Sequence, residues 1–242
     1  MAEAAYKSIT PRSVVTITKV KRGKIFQQAP LLYDLTALQK DCNIHYDLPV
    51  DKTLAITQSL YEKKLVSYPR TGSRYIPQDV MAHIPVLLEK ITAMPEFREY
   101  RRSLDLSALN TRSVDAAKVT DHHAIIPTIE ITKTDLSAVP EGEMKILSLV
   151  ANRLLCATGK KQLYETVKAE FSCGGYSFHV SGKTVLQNGW KEFEAALKRT
   201  YRVEKTDEDK EEKKLPELSE GMTFPVIQTK VTEHFTQPPK HF

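Results

Sequence analysis

Ser67-Tyr68-Pro69-Arg70-Thr71-Gly72-Ser73-Arg74-Tyr75-Ile76-Pro77 is the stretch around which the rest of the chain is organised. It separates two helical patterns. Pro69 disfavours the α region for its predecessor, so Tyr68 is extended. In an extended segment residues i and i+2 project to one side, which sets the Tyr68 phenol beside the Arg70 guanidinium. That pair suits a tyrosine that attacks a phosphodiester. The phenolate is the nucleophile, and a fixed cation favours both it and the charged phosphorus centre. The competing reading is a packed, hydrogen-bonded tyrosine with arginines that are simply solvated.

A second stretch favours chemistry. Val119-Thr120-Asp121-His122-His123-Ala124-Ile125-Ile126-Pro127-Thr128 places two adjacent histidines before a short apolar run closed by proline. Together the two stretches resemble the type IA DNA topoisomerases, in particular the topoisomerase III-like members of bacteria. In that family the nucleophile lies in a Tyr-Pro-Arg-Thr-Asp/Gly-Ser motif and a catalytic histidine in His-x-Ala-Ile-x-Pro-Thr.

The bulk properties permit this and narrow the alternatives. A chain of 242 residues can bury a real core and hold one or two domains. Hydrophobic content of 41% and charged content of 27% fit a soluble globular protein. The net charge of +5 permits nucleic-acid binding without requiring it, because clustering matters more than the sum. Three scattered cysteines, Cys42, Cys156 and Cys173, make neither a disulfide framework nor a metal-ligand spacing, which points to a reducing cytosol. No apolar run approaches membrane-spanning length, and the N-terminus has no signal-peptide pattern.

Read in order, the chain is β, then helical, then β. Ser13 to Val20 is rich in β-branched residues, and Lys21-Arg22-Gly23-Lys24 reads as a basic turn. Leu31, Leu32, Leu35 and Leu38 predict a helix from Leu31 to Asp41. Asp51 is the expected N-cap of a helix running to Leu65. Pro77 opens another, carrying Val80, Ile84, Leu87, Leu88 and Ile91, with Pro85 inside it. A further helical pattern spans Pro95 to Leu106. From Pro140 a helix with Met144, Leu147, Ala151, Leu154 and Leu155 on one stripe ends at Gly159, the expected C′ residue. The period then changes to two: Thr166 to Phe171 and Tyr176 to Val180 alternate around Gly174-Gly175, a hairpin signal. A further strand is expected near Lys183. Trp190 and Phe193 read as core anchors. Thr206 to Lys214 reads as a solvated mixed-charge loop, and residues 223–232 return to β character. The predicted fold class is α+β, with a helical domain (31–159) inserted into an antiparallel β domain (1–30 and 160–242).

The resemblance covers nearly the whole chain, since the phrases Pro30-Leu31-Leu32-Tyr33-Asp34-Leu35 and Thr236-Gln237-Pro238-Pro239 also match domain boundaries of the family. It implies the arch of a toroidal topoisomerase, formed by its domains II and III. It also implies that the TOPRIM domain, which binds Mg2+ in the complete enzyme, and the domain closing the base of the ring lie outside this sequence. Carried over, Tyr68 is the nucleophile that joins a 5′-phosphate of single-stranded DNA. Arg70 orients it and stabilises the transition state, and His122 acts near the scissile phosphate. Ser73, Arg74, Thr120 and His123 are the candidate DNA contacts. No metal ligand is expected among these residues. Gly72 stands where many relatives have aspartate. The expected setting is the bacterial cytoplasm, associated with the nucleoid and away from membrane. The rival function is a non-catalytic module that binds single-stranded nucleic acid. Relaxases need a histidine triad, where this chain has a pair, and tyrosine recombinases need a differently spaced Arg/His set.

Overall fold

The computed structural model describes residues 2–201, 214–233 and 235–236. It is a mixture of α-helices and one four-stranded sheet that divides into two compact units. The first unit is Met1–Ile25, Tyr164–Val185 and Glu211–Phe242; the second is Phe26–Leu163 and Leu186–Lys210. The chain therefore passes between units four times. Sequence pattern alone places 160–242 wholly in a β domain. Residues Leu186–Lys210 instead belong with the helices, where Trp190 and Phe193 are buried in the helical core.

In the first unit, the strands run β3-β2-β1-β4. They are β1 (Val14–Gln27), β2 (Gln162–Cys173), β3 (Tyr176–Gln187) and β4 (Thr223–Pro225), with β4 antiparallel to β1. A short helix, α1 (Ala2–Ser8), precedes them, with Glu3 in its first turn and Lys7 in its last. Gly174 and Gly175 both have positive φ, 56° and 81°, as a two-residue type I′ hairpin requires. Two expectations fail here. Lys21-Arg22-Gly23-Lys24 is not a turn but runs within β1, whose neighbour there is β2. The Gly23 carbonyl even accepts from Thr166 Oγ1 at 3.3 Å. No new strand begins at Lys183, which lies within β3 with its ammonium 4.2 Å from the Tyr164 ring centroid. The mixed-charge loop falls outside the described residues except for Lys214, and only residues 223–225 of the last β stretch form a strand.

The helical unit contains α2 (Leu35–Tyr46), α3 (Val50–Glu62), α4 (Gln78–Ala93), α5 (Glu141–Thr158) and α6 (Lys191–Tyr201). Helix α5 is its axis: every residue from Ile146 to Thr158 except Arg153 is buried. A helix apolar all round sits inside a core. Helix α2 begins four residues later than the apolar spacing predicts. The Asp34 carboxylate accepts from the Ala37 amide at 2.6 Å and caps the helix there, leaving Leu31 to Tyr33 extended. Asp51 lies inside α3 rather than capping it, since Pro49 occupies the N-cap position. Pro85 is accommodated within α4. Pro95–Arg102 is a 3-10 helix, as are four shorter pieces between Leu106 and Ala138. Gly159 caps α5 at φ −73°, so its value is not conformational freedom. A Cβ there would meet Phe193 at 3.1 Å and two carbonyl oxygens at 3.2 Å, and only hydrogen fits comfortably.

Candidate active site

Isolated bridges and hydrogen bonds between 65–76 and 119–128 bring the two motifs together. Val66 and Pro127 form an antiparallel bridge, and the Thr128 amide donates to Leu65 O at 3.0 Å. Ser67 straps both ways: its amide donates to Ile126 O, its hydroxyl donates to Ala124 O, and it accepts from the Ile126 amide, at 2.9, 2.9 and 3.0 Å. The Ala124 amide donates to Tyr75 O at 2.9 Å. Thr71 Oγ1 donates to His122 O at 2.8 Å and accepts from the Ser73 amide at 3.0 Å. Small hydroxylated residues do this because they bond backbone groups at short range.

A third segment ties the two loops to the helical core. Leu32 O accepts from Arg74 Nε at 3.1 Å, Tyr33 O accepts from the Ile125 amide at 2.8 Å, and the Leu35 amide donates to Thr71 O at 3.1 Å. Tyr33 is anchored in turn. Its hydroxyl donates to Asp41 Oδ2 at 2.6 Å, while Arg153 donates to that hydroxyl at 3.0 Å and to the same carboxylate. The guanidinium also lies 4.2 Å from the Tyr33 ring centroid. Burial pushes the Tyr33 hydroxyl well above the ordinary tyrosine range, against the lowering effect of Arg153, and keeps it protonated as a donor. Arg153 is the one polar break in α5's buried run. That break is visible in the sequence, but its partners are not.

On this frame Tyr68 is half-buried and Arg70 and His122 are exposed. The Tyr68 ring centroid lies 4.3 Å from that of His122, tilted by 44°, and 5.3 Å from that of Tyr61, edge to face. Arg70 Nη1 donates to Gln58 Oε1 at 2.7 Å, and Gln58 Nε2 donates to Glu62 Oε1 at 3.0 Å. Gln58 and Tyr61 are three apart on α3 and so share a face. Tyr68 and Arg70 therefore reach the same helix face, one through its ring and one through its guanidinium. Sequence reasoning misses both Gln58 and Tyr61. Their only signal is a place in the last turns of a helix that delivers the chain to the loop.

The supporting residues divide. Ser73 is 2% exposed, and its hydroxyl donates to Lys118 O at 2.9 Å. It is a brace inside the loop, with its hydroxyl turned away from solvent. Arg74 is half-buried with Nε held by Leu32 O. Thr120 is exposed, and His123 is half-buried with Nδ1 donating to Ala124 O at 2.7 Å. A Cβ at Gly72 would meet nothing within 4 Å, so the loop has room for a side chain there. Among the described residues no group of three His, Cys, Asp or Glu side chains forms a metal site, and no helix is long and apolar enough to cross a membrane.

A family model described as DNA topoisomerase matches residues 1–242. The chain is 38% identical over 236 residues to DNA topoisomerase 3 of Bacillus licheniformis and 36% identical over 234 residues to DNA topoisomerase 3 of Bacillus subtilis. Each match covers 96% of this chain and 31% of the relative, so the chain spans about a third of their length. The fold is similar to that of full-length topoisomerase I from Thermotoga maritima, with a TM-score of 0.63 and 17% identity, over 92% of this chain and 34% of that one.

Proposed function

The chain belongs to the DNA topoisomerase family, and from that premise we propose that it carries the strand-breaking side chains of a type IA enzyme. The observation that carries this reading is the Tyr68 phenol packed 4.3 Å from the His122 ring on a loop that also holds Arg70. Tyr68 Oη attacks a phosphorus of single-stranded DNA, the bond from phosphorus to the 3′-oxygen breaks, and a 5′-phosphotyrosine ester forms. The phenol loses a proton and the departing 3′-oxygen gains one. His122 is placed to contact that phosphate and assist the transfer. The cation at Arg70 favours the charged transition state at phosphorus. Gln58 holds Arg70 through a neutral acceptor, which leaves the positive charge uncancelled for phosphate. The ester conserves the energy of the broken diester. Resealing therefore needs no ATP, and another strand passes while the gap is open.

Arg74, Thr120 and His123 contact the DNA backbone near the cleaved bond. Mg2+ belongs to a part of the complete enzyme outside these residues, the TOPRIM domain, and no step above runs through it. The TOPRIM and ring-closing parts are this chain's partners on underwound DNA in the bacterial cytoplasm, and without them the chain does not relax plasmid. The test is Tyr68→Phe in the complete protein. Covalent adduct on denaturing gels should vanish while the melting temperature stays near wild type. Retained adduct would remove Tyr68 from the reaction, and binding without any adduct in wild type would favour the non-catalytic DNA-binding module.

A further inference from the structure

Away from the Tyr68 loop, the 3-10 helix Pro95–Arg102 carries three arginines in five residues, Arg98, Arg101 and Arg102, all exposed. Residues three apart eclipse one another in a 3-10 helix and rise about 6 Å. That period sorts the segment into edges. Phe97 and Tyr100, 2% and 3% exposed, form the inward edge; their rings stack, and Tyr100 meets Phe193 edge to face. Ser103 continues that edge and is bonded to Glu192 of α6. Arg98 and Arg101 form an outward edge, fixed from behind by two buried aromatic rings.

Several lysines of the helical unit are offset by acids: Lys63 by Glu143, Lys118 by Asp115, Lys133 by Glu130, Lys145 by Glu141 and Lys160 by Asp105. Glu99, within the same 3-10 helix, pairs with Arg199 at 3.3 Å instead. Among the described residues no ion pair joins Arg98, Arg101 or Arg102. Their side chains are guanidinium forks, whose donors match phosphate oxygens two at a time, where a lysine offers a point charge.

We propose that Arg98 and Arg101 form a phosphate-gripping edge that holds DNA at a second place, apart from the cleavage loop. The occupant is a nucleic-acid backbone rather than an acidic protein surface, because two guanidinium forks match phosphate oxygens and their eclipsed positions, about 6 Å apart, lie close to two nucleotide steps of about 3.4 Å of axis each. This rests on the DNA reading of the preceding subsection and adds an anchoring surface to it.

The experiment measures binding of the 242-residue chain to a fluorescent dT oligonucleotide by anisotropy over a salt series. The comparison is between wild type, Arg98→Ala/Arg101→Ala and the control Lys133→Ala/Lys145→Ala. Thermal melts check folding; both arginines are exposed, so the variant should melt with wild type. The expected result is a slope of log affinity against log salt that becomes shallower by about 1.4, or about 0.7 for each phosphate of a single strand that is no longer neutralised. The control should keep its slope. If wild type binds and the arginine variant keeps both slope and affinity, this inference is wrong while the DNA reading survives. If wild type shows no salt-dependent binding, the DNA reading itself falls and takes this inference with it.

Discussion

Thr71→Val isolates the strap between the two motif loops. Valine keeps the shape of threonine and removes the hydroxyl, which makes two bonds: one to His122 O at 2.8 Å and one from the Ser73 amide at 3.0 Å. The two losses differ in size. Ser73 is 2% exposed, so its amide is left unpartnered away from water, at about 1–3 kcal/mol. His122 is exposed, so its carbonyl regains water and only the net bond disappears, about 0.5–1.5 kcal/mol. A total near 2 kcal/mol lowers the melting temperature of a chain of this size by roughly 4–8 °C. The functional effect exceeds what stability alone accounts for. A shift of about 1 Å between Tyr68 and His122 costs on the order of 100-fold in reaction rate. Adduct formation by the complete protein, measured well below the variant's melting point, should fall by that order. Thr71→Ser, which keeps the hydroxyl, should restore most of both. A Thr71→Val protein that melts with wild type and forms adduct at the wild-type rate would show that the loops are held by other interactions.

Arg70→Lys should slow cleavage in the complete protein at least tenfold, because lysine keeps the charge but loses the fork that serves Gln58 and phosphate together; near-normal single-turnover rates would show that a diffuse positive field suffices. Arg153→Met leaves Asp41 beside the buried Tyr33 without its cation and should cost about 3–5 kcal/mol by urea unfolding. A loss under about 1 kcal/mol would mean that water replaces the guanidinium. Burial pushes the Cys42 and Cys156 thiols up to about 12, so both stay protonated through pH 8 and should resist a thiol reagent until the protein unfolds. Rapid modification of either in the native protein would contradict that burial. The 242-residue chain with magnesium should leave supercoiled plasmid unrelaxed, and relaxation by the chain alone would reveal a complete active site within it.

The sequence by itself determined what depends on neighbours along the chain. Gly174-Gly175 fixed the hairpin, and the apolar stripe from Met144 to Leu155 fixed α5. Each is a local steric or periodic effect that survives in any context. The two motifs also named the candidate nucleophile, cation and histidine. Tertiary structure decided the rest. Lys21 to Lys24 has the composition of a turn, yet the neighbouring strand β2 holds it within β1. Residues 186–201 look like a tail of the β region, but Trp190 and Phe193 are buried in the helical core. Ser73 reads as a polar loop residue fit to touch DNA, and folding turned its hydroxyl inward onto Lys118 O. The partners of Gln58, Tyr61 and Arg153 are not legible in the sequence, because a side chain's role in a site depends on what lies across from it. Tyr68 and His122 are 54 positions apart in sequence, and only backbone pairing between 65–76 and 119–128 brings their rings to 4.3 Å.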